Sequence, residues 1–184
     1  MYTKILIDGI DRTGKSSLIE AIMQHYGYFL KIHYSKPSQL QCYDNSLETY
    51  QKSLFGNMFN MLKTKDLKLV FDRSHLGETI YAPLYRKYSG DYVFDMENEL
   101  RNDIPYTIDS DVMLVLLYTT DFSILKDDGL SFDFNRKEEE QAIFLEAFNK
   151  STLPKIKVDV SDGNGGYKSR SAILSEIFGD KRDK

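Results

Sequence analysis

Cysteine is nearly absent from the 184-residue chain, in which Cys42 stands alone. One cysteine cannot form an internal disulfide, and it cannot join other thiols in a cysteine-rich zinc site. The three histidines, His25, His33 and His75, are few and scattered in the sequence, so we expect packing or surface roles for each of them. The composition therefore predicts a protein of a reducing compartment, with a cytoplasmic localisation.

Long apolar runs and excess positive charge are also missing. The longest apolar run, VMLVLLY at 112–118, is far below the roughly 18 residues that a membrane span requires. The first residues, MYTKILIDG, lack the apolar stretch of a signal peptide. The formal net charge of -4 argues against a protein that coats nucleic acid through a broad basic face. We expect a soluble protein with no membrane partner.

The length is sufficient for one α/β domain with a sizeable core and is short for two, so residues 1–184 are expected to form a single domain. Apolar runs typical of strands alternate with stretches of helical spacing, which predicts a parallel sheet built from βαβ units. The five predicted strands are KILID at 4–8, YFLKIHYS at 28–35, LKLVFD at 67–72, VMLVLLY at 112–118 and KIKVDV at 155–160.

Helical periodicity fills the segments between these strands. The predicted helices cover 18–26, 47–61, 76–88 with an interruption at Pro83, 93–104 and 173–178. Between strands four and five, a polar segment gives way to a charged helix, and residues of about 126–140 are expected to form a lid. The alternative is a solvated loop before a surface helix.

The stretch GIDRTGKSS follows the first predicted strand and opens the first predicted helix. Gly9, Gly14, Lys15 and Ser16 match the spacing G-x-x-x-x-G-K-[ST], which holds nucleotide phosphates. Glycines let successive backbone N–H groups point inward, and the helix N-terminus adds positive potential. Lys15 is expected to reach the β- and γ-phosphates, and the Ser16 hydroxyl is expected to hold Mg²⁺. The alternative is a chance glycine-rich turn.

A second pattern ends the third predicted strand, where Asp72 is followed at once by Arg73. A carboxylate there orients the Mg²⁺ shell or the attacking group, and a guanidinium forks onto phosphate oxygens. An ordinary strand-end aspartate followed by a surface arginine is the alternative. A GTPase switch is disfavoured, because DRSH replaces Asp-x-x-Gly and NKST at 149–152 lacks the aspartate of Asn-Lys-x-Asp.

GIDRTGKSS together with VFDRSH resembles the thymidylate kinase family of nucleoside monophosphate kinases, and DRSHLGETIYAPLYR is similar to phage-encoded relatives. The resemblance implies a three-layer P-loop NTPase fold, with a five-stranded parallel sheet flanked by helices and a lid between strands four and five. It also implies ATP and Mg²⁺ as cofactors, a small nucleotide substrate and a homodimer. The implied donor site consists of Gly9, Asp11, Arg12, Thr13, Gly14, Lys15, Ser16, Ser17 and Arg136.

The resemblance also assigns roles near the transferred phosphoryl group. Asp11 accepts a hydrogen bond from the 3'-hydroxyl of the acceptor sugar, and Arg12 stabilises the group in flight. Residues 127–135 of the expected lid contain no arginine, which agrees with a loop arginine replacing one brought by the lid. Arg136 lies at the far edge of this segment, where it either clamps phosphate or remains an exposed helix residue.

At the acceptor end, Asp72 and Arg73 match the family's Asp-Arg pair, with Arg73 facing the acceptor phosphate. Phe55 resembles the phenylalanine on which the family stacks the base, and Tyr81 has the spacing of another pocket aromatic. Either ring is equally consistent with a core position.

The chain departs from the family at two places. The arginine usual near the proline after the second strand is replaced by Lys36, and the family's Asn-Arg-aromatic reads Asn-Met-Phe at 57–59. A monophosphate carries about two negative charges and needs partners. Lys36, Arg73 and Arg86 are the candidates.

These departures leave the acceptor open. The first interpretation is a kinase that phosphorylates a deoxynucleoside monophosphate, with dTMP foremost. The alternative acceptor is a hydroxyl of a deoxynucleoside, or of a base or end in DNA. That alternative requires a general base, for which Asp72 or Glu78 would have to serve because SKPSQL contains no carboxylate. A third hypothesis is a nucleotide-binding regulatory or scaffold protein.

Overall fold

A computed structural model describes residues 2–34, 46–129, 131 and 133–179. Five strands alternate with helices along the chain, as the apolar runs predict. The strands are β1 (Lys4–Asp8), β2 (Leu30–His33), β3 (Leu69–Asp72), β4 (Val112–Tyr118) and β5 (Lys155–Asp159). The helices are α1 (Lys15–Tyr26), α2 (Ser46–Leu62), α3 (Leu76–Tyr81), α4 (Tyr92–Asp103), α5 (Ile108–Asp111), α6 (Lys137–Lys150) and α7 (Arg170–Phe178).

The strands form one parallel sheet in the order β2-β3-β1-β4-β5. All five residues of β1 are buried, and so are the first six of β4. Inner strands of a parallel sheet are covered on both faces, which is why β4 is apolar throughout and β1 is apolar between Lys4 and Asp8. The predicted five-stranded parallel α/β architecture is confirmed.

β2 and β3 are shorter than the predicted strands. β2 lies at the edge of the sheet and pairs with β3 from Leu30 opposite Leu69 to His33 opposite Asp72. The two strands therefore pair with each other over four residues each. Tyr28 and Phe29 precede β2, and the last residue of the predicted run, Ser35, lies outside the described residues.

The helical stretch that contains Pro83 continues as a wider helix and does not break. α3 ends at Tyr81 and passes directly into one π-helical segment, Ala82–Arg86. Lys87 then ends the segment with a left-handed backbone conformation (φ 64°). Proline lacks an N–H and fits near the start of a helical segment, so it coincides here with the change of helix type.

Helices pack against one another around the sheet. α1 contacts α7, α2 contacts α4, and α3 contacts α6. The core they share includes large fully buried side chains such as Phe71 and Phe144. Within the described residues, no helix combines the length and the hydrophobicity needed to cross a membrane.

The parallel strands place several polar residues at one edge of the sheet. Asp8, His33 and Asp72 are the last residues of β1, β2 and β3, and the loop from Gly9 to Gly14 follows β1 directly. In open α/β sheets, ligands bind at this carboxyl edge, where neighbouring connections diverge. β1 is the middle strand, between β3 and β4, so the loop that follows β1 lies at the middle of this carboxyl edge.

Candidate active site

The loop between β1 and α1 has the backbone that its glycines allow. Gly9 has a φ of 142°, and a Cβ built there would lie 2.3 Å from the carbonyl oxygen of Leu117. Gly14 has a left-handed conformation (φ 83°) at the start of α1. The Thr13 hydroxyl donates a hydrogen bond to the Ile10 carbonyl at 2.9 Å. Two glycines and one internal hydrogen bond thus hold the loop curled over the end of β1.

Lys15 lies inside this curl. Its ammonium donates hydrogen bonds to the carbonyl oxygens of Gly9 (2.9 Å) and Ile10 (2.8 Å). The pKa of Lys15 is lowered to about 8, because burial disfavours the charged form and the Arg73 guanidinium repels it, whereas the Asp11 carboxylate acts in the opposite direction. A phosphate group placed here would favour the charged lysine.

Ser16 and Asp72 approach each other across the loop. The Ser16 hydroxyl lies 3.5 Å from Asp72 Oδ2, and the same oxygen contacts Lys31 Nζ (3.3 Å) and His33 Nδ1 (3.1 Å). Burial acts to raise the pKa of Asp72, but the contacts with His33 and Lys31 together lower it below its ordinary value. Asp72 is therefore a carboxylate at neutral pH.

This pair fits a magnesium ion. Mg²⁺ takes oxygen ligands and typically keeps one or two protein ligands together with phosphates and water. Ser16 and Asp72 supply such a hydroxyl and a carboxylate. Among the described residues, no group of three or more His, Cys, Asp or Glu side chains forms a metal cluster, so an ion at this position would draw its remaining ligands from phosphate and water.

Arg73 lies on a tightly fixed turn after β3. Its φ is 76°, and its backbone N–H donates to the Ile7 carbonyl at 3.0 Å. Ser74 donates its backbone N–H to Asp8 Oδ1 at 3.0 Å, and its hydroxyl donates to Asp8 Oδ2. From this turn, the Arg73 guanidinium donates to Asp11 Oδ1 at 2.9 Å.

Arg12 lies at the outer rim of the loop. Its guanidinium forms an ion pair with Asp128, which belongs to the expected lid. Its carbonyl oxygen accepts a hydrogen bond from the Tyr167 hydroxyl at 2.9 Å. The structure thus connects the loop arginine with both the lid segment and the turn before α7.

The first cleft, of about 350 Å³, contains most of the predicted donor residues. Its lining includes Asp11, Arg12, Gly14, Lys15, Ser16, Ser17, Asp72 and Arg73, and also His33, Asp128 and Ser131. Ser16 and Asp72, which lie 56 residues apart in sequence, therefore meet in one cleft.

A second cavity lies beside the first, and Arg73 lines both. Phe55 and Tyr81 line the second cavity, although only 5% and 7% of their surface is exposed. Each ring therefore belongs to the core and also faces the cavity. Gln51 and Arg86 contribute polar side chains to the wall of this cavity.

Glu78 organises the polar wall of this second cavity. Its Oε2 accepts a hydrogen bond from Arg86 (2.6 Å), and its Oε1 accepts hydrogen bonds from the hydroxyls of Tyr88 (2.6 Å) and Tyr92 (3.0 Å). Both oxygens of Glu78 are thus engaged, and Arg86 uses one of its nitrogen atoms in this buried ion pair.

Two predicted donor residues, Thr13 and Arg136, line neither of these two clefts. Arg136 pairs with Glu139 on its own helix at 2.7 Å and lies over the Tyr85 ring, 5.4 Å from its centroid. Lys36 lies outside the described residues.

Sequence reasoning missed the charged residues that α6 contributes. Lys137 and Glu140 are buried, although they lie in the acidic run KEEE, which is typical of a solvated helix face. The sequence pattern that could have indicated their burial is their spacing from Phe144. Lys137, Glu140 and Phe144 are three and four residues apart and therefore share one face of the helix.

Comparisons with known proteins give no match to a protein-family model and no match among curated proteins. Solved structures do match. The YorR protein from Bacillus subtilis, in complex with phosphorylated GDP, has a TM-score of 0.66 at 19% identity, over 95% of this chain and 93% of that chain. Thymidylate kinase from Candida albicans has a TM-score of 0.56 at 16% identity, over 96% and 89%.

A deoxyadenosine kinase from M. mycoides, with the products dCMP and dCDP, has a TM-score of 0.52 at 14% identity, over 95% and 98%. The chain has the fold of the P-loop nucleotide kinases. Identities this low show the shared fold of these P-loop kinases and do not decide which substrate the chain uses.

Proposed function

We propose that the chain is a kinase that transfers the γ-phosphoryl group of ATP to a deoxynucleoside monophosphate, with dTMP as the first candidate. One observation carries the proposal: Arg73 lines both the cleft of the phosphate loop and the neighbouring cavity walled by Phe55 and Tyr81. A donor phosphate in the first site and an acceptor in the second would meet at the same guanidinium. In-line phosphoryl transfer requires such an approach.

The donor side follows from the loop geometry. Lys15 and the inward N–H groups of the loop bind the β- and γ-phosphates. Arg12 lies at the rim of the same cleft and stabilises the charge of the transferred group. Ser16 and Asp72 would hold a Mg²⁺ ion bound together with ATP, and such an ion would supply neutralisation of the phosphate charge.

The acceptor side uses the second cavity. Phe55 and Tyr81 line this cavity, whose volume is about 40 Å³, so their rings would contact a base only if the cavity widens on binding. Arg73 faces the acceptor phosphate and is held by Asp11, which also reads the sugar hydroxyl. Lys36 and Arg86 complete the charge that a monophosphate requires.

The rival acceptor is a hydroxyl of a deoxynucleoside or of DNA. The likeness to a deoxyadenosine kinase supports this rival. Against it, the two oxygens of Glu78 already accept hydrogen bonds from Arg86, Tyr88 and Tyr92. Taking a proton from a substrate hydroxyl would disrupt that buried network, which leaves Asp72 as the base.

The test is acceptor-dependent release of ADP from ATP and Mg²⁺. The acceptors are the four deoxynucleoside monophosphates, the four deoxynucleosides and a DNA oligonucleotide, and Lys15→Ala is the blank. We expect a deoxynucleoside monophosphate to drive turnover in the wild type and not in Lys15→Ala. Turnover only with a nucleoside or DNA would assign the hydroxyl acceptor, and no acceptor-dependent ADP in any arm would leave a nucleotide-binding scaffold.

A further inference from the structure

Lys137 is a buried cation next to the phosphate loop that the proposed reaction does not use. It is the first residue of α6 and is 3% exposed. Its ammonium lies 2.7 Å from Glu140 Oε2 and 3.6 Å from Asp11 Oδ2. A lysine near the end of the expected lid segment therefore contacts the loop between β1 and α1.

The two oxygens of Asp11 have different cationic partners. Oδ1 accepts a hydrogen bond from Arg73 at 2.9 Å, and Oδ2 faces Lys137. One cation comes from the end of β3 and the other from α6, so the carboxylate is held from two sides. Such a pair of contacts fixes the plane of the carboxylate as well as its position.

The ion pair with Glu140 accounts for the burial of Lys137. It does not account for the approach of the Lys137 ammonium to Asp11. Glu140 is fully buried and already pairs with the ammonium, while its Oε1 accepts a hydrogen bond from the Tyr85 hydroxyl at 2.7 Å. A buried ion pair within one helix satisfies the charge of a lysine. The additional approach to Asp11 connects that pair to the proposed reaction centre.

We propose that Lys137 is a positioning residue for phosphoryl transfer, which holds the Asp11 carboxylate between the phosphate loop and the acceptor cavity. This inference rests on the proposed function, in which Asp11 contacts the acceptor sugar. A misplacement of about 1 Å near a reacting centre costs about 100-fold in rate. A lysine that fixes Asp11 therefore affects turnover without touching the substrate.

The test compares Lys137→Met, which keeps the apolar stem, with Lys137→Arg, which keeps the charge. Lys137→Met is expected to lower kcat by roughly 10- to 100-fold while leaving the affinity for ATP nearly unchanged, and Lys137→Arg is expected to retain most of the turnover. Lys150→Met is the matched control on the same helix, because Lys150 pairs with Asp91 at the exposed surface.

A double-mutant cycle separates positioning from general destabilisation. If Lys137 acts through Asp11, the pair Lys137→Met with Asp11→Asn loses no more turnover than Asp11→Asn alone. Losses that multiply would overturn the proposal. If Lys137→Met does not fold, the comparison is made between Lys137→Met/Glu140→Gln and Glu140→Gln, since the double change leaves no unpaired buried charge.

A second readout is independent of turnover. Burial acts to raise the pKa of Asp11, but Lys15, Arg73 and Lys137 together hold it below its ordinary value. Carbon-13 NMR titration of the Asp11 carboxyl should therefore show a higher pKa in Lys137→Met than in the wild type. An unchanged pKa contradicts the contact and with it the proposal.

The outcomes distinguish this inference from the proposed function. A wild type without turnover on any acceptor removes the proposed function and the positioning role together. A wild type with turnover, and a folded Lys137→Met variant with equal turnover, removes the positioning role alone.

Discussion

Arg12 and Arg73 share a left-handed backbone conformation, with φ angles of 74° and 76°. This conformation costs a residue with a side chain roughly 1–2 kcal/mol. Neighbouring hydrogen bonds hold both residues in it. The Arg73 N–H binds the Ile7 carbonyl, and the Arg12 carbonyl binds the Tyr167 hydroxyl. The backbone is thereby fixed at the two positions whose guanidinium groups line the same cleft.

Replacing Arg12 with alanine tests its role in the transition state. In the proposed reaction the guanidinium would stabilise charge that develops during transfer, so we expect kcat to fall by about 100- to 1,000-fold and KM for ATP to change far less. Alanine has the same left-handed penalty as arginine, so stability should change little. Steady-state kinetics of Arg12→Ala and Arg12→Lys measure this, and equal losses in kcat and ATP affinity would argue against the role.

The candidate site was predictable where its residues are close in sequence. Lys15 and Ser16 follow from the spacing of one loop, and the two lie in the cleft with Asp72 and Arg73. Lys137 and Asp128 reach the site only through the packing of α6 and the course of the segment before it. Short-range patterns contain no information on such long-range contacts. The charge pattern therefore placed both residues in an expected lid, with a solvated loop and surface helix as the alternative, and identified neither as a site residue.

At the scale of elements, one buried carboxylate joins three parts of the fold. Glu97 of α4 is hydrogen-bonded to His75 Nε2 at 2.9 Å, just before α3. The hydroxyls of Ser151 and Thr152, in the turn between α6 and β5, donate to it at 2.8 Å. His75 is two residues after Arg73 in sequence, so this network adjoins the turn that carries Arg73.

Glu97 makes stability depend on pH. Although burial acts to raise its pKa, the contacts with His75, Thr152 and Ser151 lower the pKa from 4.5 to about 2. A depressed pKa stabilises the folded state above the unfolded value, and this stabilisation is lost as the pH falls through the folded value. The contribution is about 3 kcal/mol above pH 5 and decreases between about pH 4.5 and pH 2.

Glu97→Gln removes this titration. We expect the difference in free energy of unfolding between wild type and Glu97→Gln, measured in urea, to be largest near pH 6 and much smaller at pH 3. Glu99→Gln, an exposed position on the same helix, is the control. A difference that stays constant with pH would refute the assignment.

The fold was predictable to the level of its elements, and less so at their ends. All five strands were predicted, and the inner strands β1, β3 and β4 are the most apolar because a parallel sheet covers them on both faces. The edge strands β2 and β5 alternate apolar with polar residues and are mostly half-buried or exposed. The ends of β2 and β3 depend on the strand alongside, and the π-helical segment at Ala82–Arg86 depends on how Pro83 is accommodated. The local sequence therefore does not determine where these strands end or where the helix widens.

For the whole molecule, the carboxyl edge of the sheet brings cleft residues together from the loop after β1 and from the end of β3. A nucleotide bound there would contact elements that are far apart in sequence and separate on unfolding. Ligand binding to the folded state alone therefore adds stability according to concentration and affinity.

We expect ATP with Mg²⁺, at about 100 times its Kd, to add roughly 2.7 kcal/mol of stability and to raise the Tm by roughly 5–10 °C. Differential scanning calorimetry measures the shift. Lys15→Ala should show little of it, and removal of Mg²⁺ with EDTA should reduce it in the wild type. An equal shift in Lys15→Ala would place the nucleotide elsewhere.

Because all strands run in the same direction, the loop at the amino end of β3 lies away from the cleft and is a suitable place for an engineered insertion. Residues 63–68 connect α2 to the amino end of β3, and residues 65–68 are exposed. The length of β3, about 10 Å, separates them from Asp72 and the cleft. Asp66 already has a left-handed turn conformation (φ 62°). An epitope or fluorescent group inserted there would lie at the end of the sheet opposite the carboxyl edge. It would label the protein without obstructing entry to the cleft.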